Sequence, residues 1–216
     1  MAITLATGTQ VAIASTYAAS SNMTAVTNAA NAVATLAVGH GVVVGDFLEV
    51  TSGWDRLTGR IVRVSAVSTN DVTLEGINTV STSVYPAGSG TGSVRRITLW
   101  TNLSQITSSI SVSGGEQQFA DITSLTDRTQ KQIPTVRGAV SVTLPTFDDP
   151  ALSWYSTVAT ASDTAVATAV RMIFPNNSRL VANAYWSLQA VPTIEDSTLR
   201  GSISLSFVAD PTRYAT

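Results

Sequence analysis

Apolar and polar residues alternate with a period of two along much of the chain. The clearest run is 138–144, where Val140, Val142 and Leu144 face one way and Ala139, Ser141 and Thr143 the other. A second closes the chain, setting Ile203, Leu205 and Phe207 against Ser202, Ser204 and Ser206. Successive strand residues point to opposite faces, so such runs mark half-buried strands. The same reading predicts strands over 10–14, 42–50, 60–67, 72–76, 94–101, 106–112, 117–123, 167–174, 179–191 and 199–208, separated by turns such as Gly53-Trp54-Asp55, Thr69-Asn70-Asp71 and Pro175-Asn176-Asn177-Ser178. Residues 20–31 are small and polar and read as a loop or arm, mobile before assembly. One helix is predicted: Asp149 caps it, Pro150 takes its first position, and Leu152, Tyr155 and Ala159 share a face that Trp154 and Val158 extend, with an end near Thr160.

Short strands between 42 and 76 are spaced as in a small closed or half-closed barrel, and Gly88-Ser89-Gly90-Thr91-Gly92 reads as a flexible exit from it. The expected organisation is a β domain over 1–32 and 94–216 with an inserted barrel-like module at 33–93. The fold class is mainly β: an antiparallel β-sandwich or barrel with one outer α-helix and a small inserted β module. An open sheet has edges that must be covered, charged or paired. Few charges guard these, so the sheet is expected to close across copies of the chain, as a head-to-tail contact repeated by rotation into a ring.

Composition sharpens this. Hydrophobic residues make up 44% but aromatics only 6%, so the apolar content is mostly Ala and Val. Charged residues are 12%, about half the usual ~25%, which favours burial of surface in an assembly. Net charge is −2 and Lys131 is the only lysine, which argues against stable nucleic-acid binding. There is no cysteine, and hence no disulfide or thiolate chemistry. No apolar run reaches the ~18 residues of a membrane span. The N-terminus lacks a basic export region, so synthesis in the host cytoplasm is expected.

Candidate chemistry is sparse. His40, the single histidine, sits between Gly39 and Gly41 and reads as a turn histidine rather than part of a triad. The glycines from Gly39 to Gly45 precede no capped helix, as a dinucleotide site requires. Asp148-Asp149 is explained by capping, and Glu195-Asp196 by a solvated turn. Arg95 and Arg96, adjacent on a strand, point to opposite faces and make a poor phosphate patch. Three Asn-x-Ser/Thr matches are the chance yield of a Ser/Thr-rich chain. No constellation makes a catalytic, cofactor or metal site, so the protein is read as structural and not an enzyme.

Outside 33–93 the chain resembles the tail tube protein family of long-tailed bacteriophages. The residues that carry the likeness are the opening Gly8-Thr9-Gln10-Val11-Ala12-Ile13-Ala14, the Ile122-Thr123-Ser124-Leu125 stretch, strand 138–144 leading into Asp148-Asp149-Pro150, the hairpin from Arg171 to Ser178, and the closing strands to Asp210-Pro211. The insert, from Gly39-His40-Gly41 to Leu57-Thr58-Gly59, is similar to a small β module common in phage structural proteins. The resemblance implies hexameric rings stacked into a tube whose lumen is lined by strands from every subunit. It implies a helix outside that barrel (here Leu152, Trp154, Tyr155 and Val158) and long loops that bridge rings. The polar stretch 124–137, with Asp127, Arg128, Lys131 and Arg137, is the candidate ring-stacking loop. Implied partners are other copies of the chain, a tape measure protein and a tail terminator, with genomic DNA in transit and no membrane or cofactor. A terminator, a head decoration protein and a secreted carbohydrate-binding β module are the competing readings. The last is disfavoured by the low aromatic content and the absent export signal.

Overall fold

The computed structural model describes residues 7–107 and 109–215. In chain order the strands are β1 (Gln10–Tyr17), β2 (Ser21–Val26), β3 (Val33–Leu36), β4 (Phe47–Ser52), β5 (Ile61–Ser68), β6 (Asp71–Leu74) and β7 (Gly92–Leu103), followed by β8 (Ser111–Ser113), β9 (Gln117–Asp121), β10 (Gln132–Arg137) and β11 (Ser141–Phe147). After the helix α1 (Tyr155–Thr164) come β12 (Thr168–Ile173), β13 (Arg179–Leu188), β14 (Thr193–Glu195), β15 (Thr198–Phe207) and β16 (Thr212–Tyr214). All the strand pairs are antiparallel, as the mainly β class expected.

The strands β2-β3-β6-β5-β4-β7 run in that order, and β7 pairs back onto β2, so six strands close into a barrel without an edge. Its interior is filled by Met23, Leu36, Leu48, Val62, Leu74 and Trp54. The irregular segment after β6 plugs one end. Asn28 donates to the carbonyls of Thr79 and Tyr85, both at 2.9 Å, and the Trp54 indole donates to the Pro86 carbonyl at 2.8 Å. Residues 20–31 are therefore not the arm expected: six of them form β2. A bulge between Met23 and Ala25 breaks the period of two and hides the strand in the sequence.

The glycines at 88–92 also serve a different purpose from a flexible exit. A Cβ on Gly90 would stand 2.9 Å from the Trp54 ring, and one on Gly92 2.0 Å from the Thr51 carbonyl oxygen. Gly92 pairs at once with Met23 of β2 and Ser52 of β4, so neither neighbour has room to retreat. Gly92→Ala is expected to cost about 3 kcal/mol, seen as a melting temperature lowered by roughly 6–12 °C.

Strand β7 belongs to two bodies. Residues 92–96 complete the barrel, while 97–103 pair only with β1 in the main sheet, whose order continues β7-β1-β12-β13-β15-β11-β8. This sheet curls. Leu103 pairs with Val11 of β1, yet two residues later the Gln105 carbonyl accepts from Phe147 of β11, on the far side of the sheet. Two Cα–Cα steps of ~3.8 Å join these points, so the two margins meet at that end. Inside the curl lies one core, with Ile13, Val170, Ala184, Leu144, Ile203 and Leu205 packed against Trp154 and Val158.

The helix begins five residues later than the sequence implied. The Asp149 carboxylate accepts from the Ala151 amide at 3.0 Å, closing a turn rather than capping a helix. That turn drops Leu152 and Trp154 toward the core, and α1 then starts at Tyr155 with no side-chain cap. It runs to Thr164, where Ala165 adopts a left-handed φ of 49°.

The barrel packs on the opposite face of the main sheet. Phe47 and Ile61 of the barrel, with Tyr214 of β16, meet Ala14, Ala169 and Val181, so β1, β12 and β13 are buried on both faces where the two bodies join. Polar links flank this contact. The buried Glu49 carboxylate accepts from Arg95 and, at 3.0 Å, from Asn183 of β13, and the Tyr214 hydroxyl accepts from the Arg63 amide at 2.8 Å. Tyr17 lies beside them, its hydroxyl accepting from the Ala169 amide at 2.9 Å. Burial, the largest cause, pushes its pKa up to about 12, and burial raises that of Tyr214 too. A phenol held neutral in the folded state stabilises fully below the unfolded value of 10.0 and less as pH rises toward 12. Stability is therefore expected to fall between pH 10 and 12, and Tyr17→Phe to flatten that fall in thermal melts while costing about 1 kcal/mol at neutral pH for its lost hydrogen bond.

Candidate assembly surfaces

The main path of the sheet ends in two margins that lack a strand neighbour among the described residues, apart from the three-residue strands β14 and β16, which pair off this path with β15 and β13. One is β7 from 97 to 103, with Leu99 57% exposed. The other is β8, which pairs with β11 on its inner side and carries Val112 at 66% exposure. The margins meet near Ser104 but end in open backbone edges elsewhere. Neither carries the lysine, proline or inward charge that ordinarily protects an edge.

Between β8 and β11 the chain leaves the body as an arm. Strands β9 and β10 pair only with each other, and every residue of β10 is exposed. The expected ring-stacking loop is therefore partly a strand, because 132–137 find partners across the hairpin. Arm side chains include Phe119, Ile122, Leu125, Ile133 and Val136, all exposed, Leu125 fully. An isolated two-stranded hairpin is marginal in water, and this one carries exposed apolar side chains on both faces, Phe119 opposite Pro134 on one and Ile133 opposite Ala120 on the other.

The tip of the arm is tied by its own polar groups. Thr123 donates to the Asp121 carboxylate through its hydroxyl and its amide, Gln130 donates to the other Asp121 oxygen at 3.0 Å, and Lys131 pairs with Asp127. The Thr123 hydroxyl holds Asp121 below the usual carboxylate range, and the Lys131 ammonium does the same for Asp127. Of the four residues expected in this loop, Asp127 and Lys131 come together, Arg128 is exposed beside them, and Arg137 lies at the base, some ~20 Å along the strand. The sequence does not single out Phe119, Ile133 and Val136, because apolar residues on a strand read as core until the hairpin is seen to pair with no other strand.

The remaining candidates settle into structural roles. His40 accepts from the Val42 amide through Nδ1 at 3.0 Å, so Nε2 carries the proton and donates to the Thr69 carbonyl at 3.0 Å. This is the turn histidine expected. Asp196 and Ser197, both at positive φ, form the turn between β14 and β15. Among the described residues no group of three or more His, Asp or Glu is placed to hold a metal ion, and no helix is long and apolar enough to cross a membrane.

The described residues form a curled antiparallel sheet whose path ends in bare edges, with an arm that joins none of the cores, as suits a structural subunit. The model of the phage tail tube protein family (TTP) matches residues 52–216, most of the chain, and the protein belongs to that family. It is thus a structural component of a phage tail, not an enzyme. The match begins at the last residue of β4, so it takes in half the barrel and leaves out β1. No curated protein matches the chain. Among solved structures, the chain is similar to one from the cryo-EM structure of the anti-feeding prophage baseplate, 6-fold symmetrised, at 9% identity and a TM-score of 0.39, covering 55% of this chain and 85% of that one. It is also similar to one from the anti-feeding prophage tube-terminating cap, at 15% identity and a TM-score of 0.35, covering 53% and 83%.

Proposed function

We propose that the protein polymerises as hexameric rings stacked into the tail tube through which DNA is delivered. In this reading the 97–103 edge of one copy adds to the β8 edge of the next, closing a continuous sheet around the ring. The arm β9–β10 reaches the adjacent ring and buries its apolar side chains there. The inserted unit decorates the ring, with a boundary best drawn at about residues 20–96, because β2 and the first half of β7 complete the barrel. A tape measure protein would fill the lumen during assembly and a terminator would stop its growth, all from subunits made in the host cytoplasm. The observation that carries the reading is the pair of unguarded edges on one sheet. Negative-stain microscopy of the concentrated, purified protein tests it. Short tubes of even width are expected. Single rings that never stack favour a terminator, and a dispersed monomer at every concentration contradicts the proposal.

A further inference from the structure

Four strands of the main sheet carry two unbroken rows of hydroxyl side chains on one face. The register places Ser113 opposite Ser141, Ser141 opposite Ser206, and Ser206 opposite Tyr185. One step along, Ser111 faces Thr143, Thr143 faces Ser204, and Ser204 faces Ser187. Directly opposed residues of antiparallel strands share a face, so these eight side chains lie together on the reverse of the core residues Val142, Leu144, Ile203 and Leu205. Six are exposed and the two on β11 are half-buried. Among the described residues the barrel does not cover the six exposed ones, since its contact with this face lies over Ala14, Ala169 and Val181.

The chemistry of this face is unusual for either ordinary fate. The centre of a protein–protein interface is rich in aromatic and aliphatic side chains, and here there is one tyrosine among serines and a threonine. The solvent face of a soluble domain carries roughly a quarter to a third of its residues as charges of both signs, and among these eight side chains there is none. What remains is a patch that keeps a layer of water and offers no charge of its own; the next charge along β15 on this face is Arg200, which is paired with Glu195 and Asp196. Duplex DNA is held by cations through release of its condensed counterions, with an affinity that climbs steeply with each phosphate contacted. A wall of hydroxyls presents no such contact.

We infer that this face of β8, β11, β15 and the end of β13 lines the lumen of the tube and lets duplex DNA pass without binding it. The inference rests on the tube reading above and assigns its inner wall. Because the chain has no cysteine, Ser204→Cys introduces a single thiol at the centre of the rows, and Val38→Cys introduces one at an 87% exposed position on a barrel loop. Each variant is assembled into tubes and treated with a small maleimide or with a maleimide carried on a protein larger than the subunit. The barrel thiol is expected to react with both. The Ser204→Cys thiol is expected to react with both in free subunits but only with the small reagent in tubes. Reaction with the large reagent would put the face outside, and reaction with neither would bury it between subunits; each overturns the assignment. Ser187→Cys, in the same row, replaces Ser204→Cys if that variant does not assemble. Failure of the unmodified protein to form tubes overturns the parent reading and this one with it. In a companion assay, unmodified tubes are expected to retain no duplex DNA at low salt, while Ser204→Lys tubes hold it at least ~10-fold better and release it as salt rises. Retention by unmodified tubes that Ser204→Glu abolishes would contradict passage without binding.

Discussion

A variant in which residues 117–136 are replaced by a short glycine-serine turn is expected to fold normally and to form no tubes. The two halves of this outcome have separate causes. Strands β9 and β10 contribute no residue to any of the three cores and pair only with one another, so their loss leaves the body intact and the melting temperature within a few degrees of the parent. The five exposed apolar side chains of the arm would each bring ~1.5–3 kcal/mol when buried, on the order of 10 kcal/mol per subunit before the cost of ordering is subtracted. Stacking without them should fail at any practical concentration, while rings persist, because ring closure uses the sheet edges. Sedimentation velocity with negative-stain images separates the species. Tubes of normal length from the arm-less protein would remove the arm from the account.

The second large effect is expected from Leu99→Asp. Leu99 lies on the bare margin of β7 and is 57% exposed in the single subunit. The monomer should therefore tolerate the change within ~0.5 kcal/mol. In a ring the same position faces the strand added by a neighbour. A carboxylate there loses the apolar burial and must also be desolvated, a device by which natural sheets prevent edge pairing. A penalty of about 2.7 kcal/mol per interface raises the assembly concentration roughly 100-fold, and closing a ring incurs it at every interface. Val112→Asp, on the opposite margin, is expected to act in the same way. If Leu99→Asp alone assembled at the parent's concentration, the β7 edge would not be the joint.

Much of this architecture was legible in the sequence because its signals are local. Period-two alternation located β11 and β15, and the Pro175–Ser178 tetrapeptide located the β12–β13 turn. The barrel was legible as a cluster of short strands, although its closure through β2 was not, because a bulge scrambles the pattern at Met23. The helix start was misplaced for a physical reason: Asp149-Pro150 is equally good at closing a turn, and only the burial of Trp154 against Ile13 and its neighbours decides between the two. Glycines 90 and 92 read as flexible because the tryptophan and carbonyl that crowd them are distant in sequence. The assembly surfaces were the least legible. The charged residues near the arm's tip stand out in a chain with so few charges, but the exposure of Phe119, Leu125 and Val136, the bareness of 97–103 and the alignment of serines across four strands exist only once the register is known.

Hydrogen exchange at the two sheet margins tests most directly whether copies of this chain finish each other's sheet. Amides within 97–103 and 111–113 that point away from their own sheet should exchange rapidly in free subunits and become strongly protected in assembled tubes, while amides of the barrel strands β5 and β6 stay unchanged. Equal exchange at both margins in subunit and tube would mean that the edges remain open in the assembly, and that the ring is held by other surfaces.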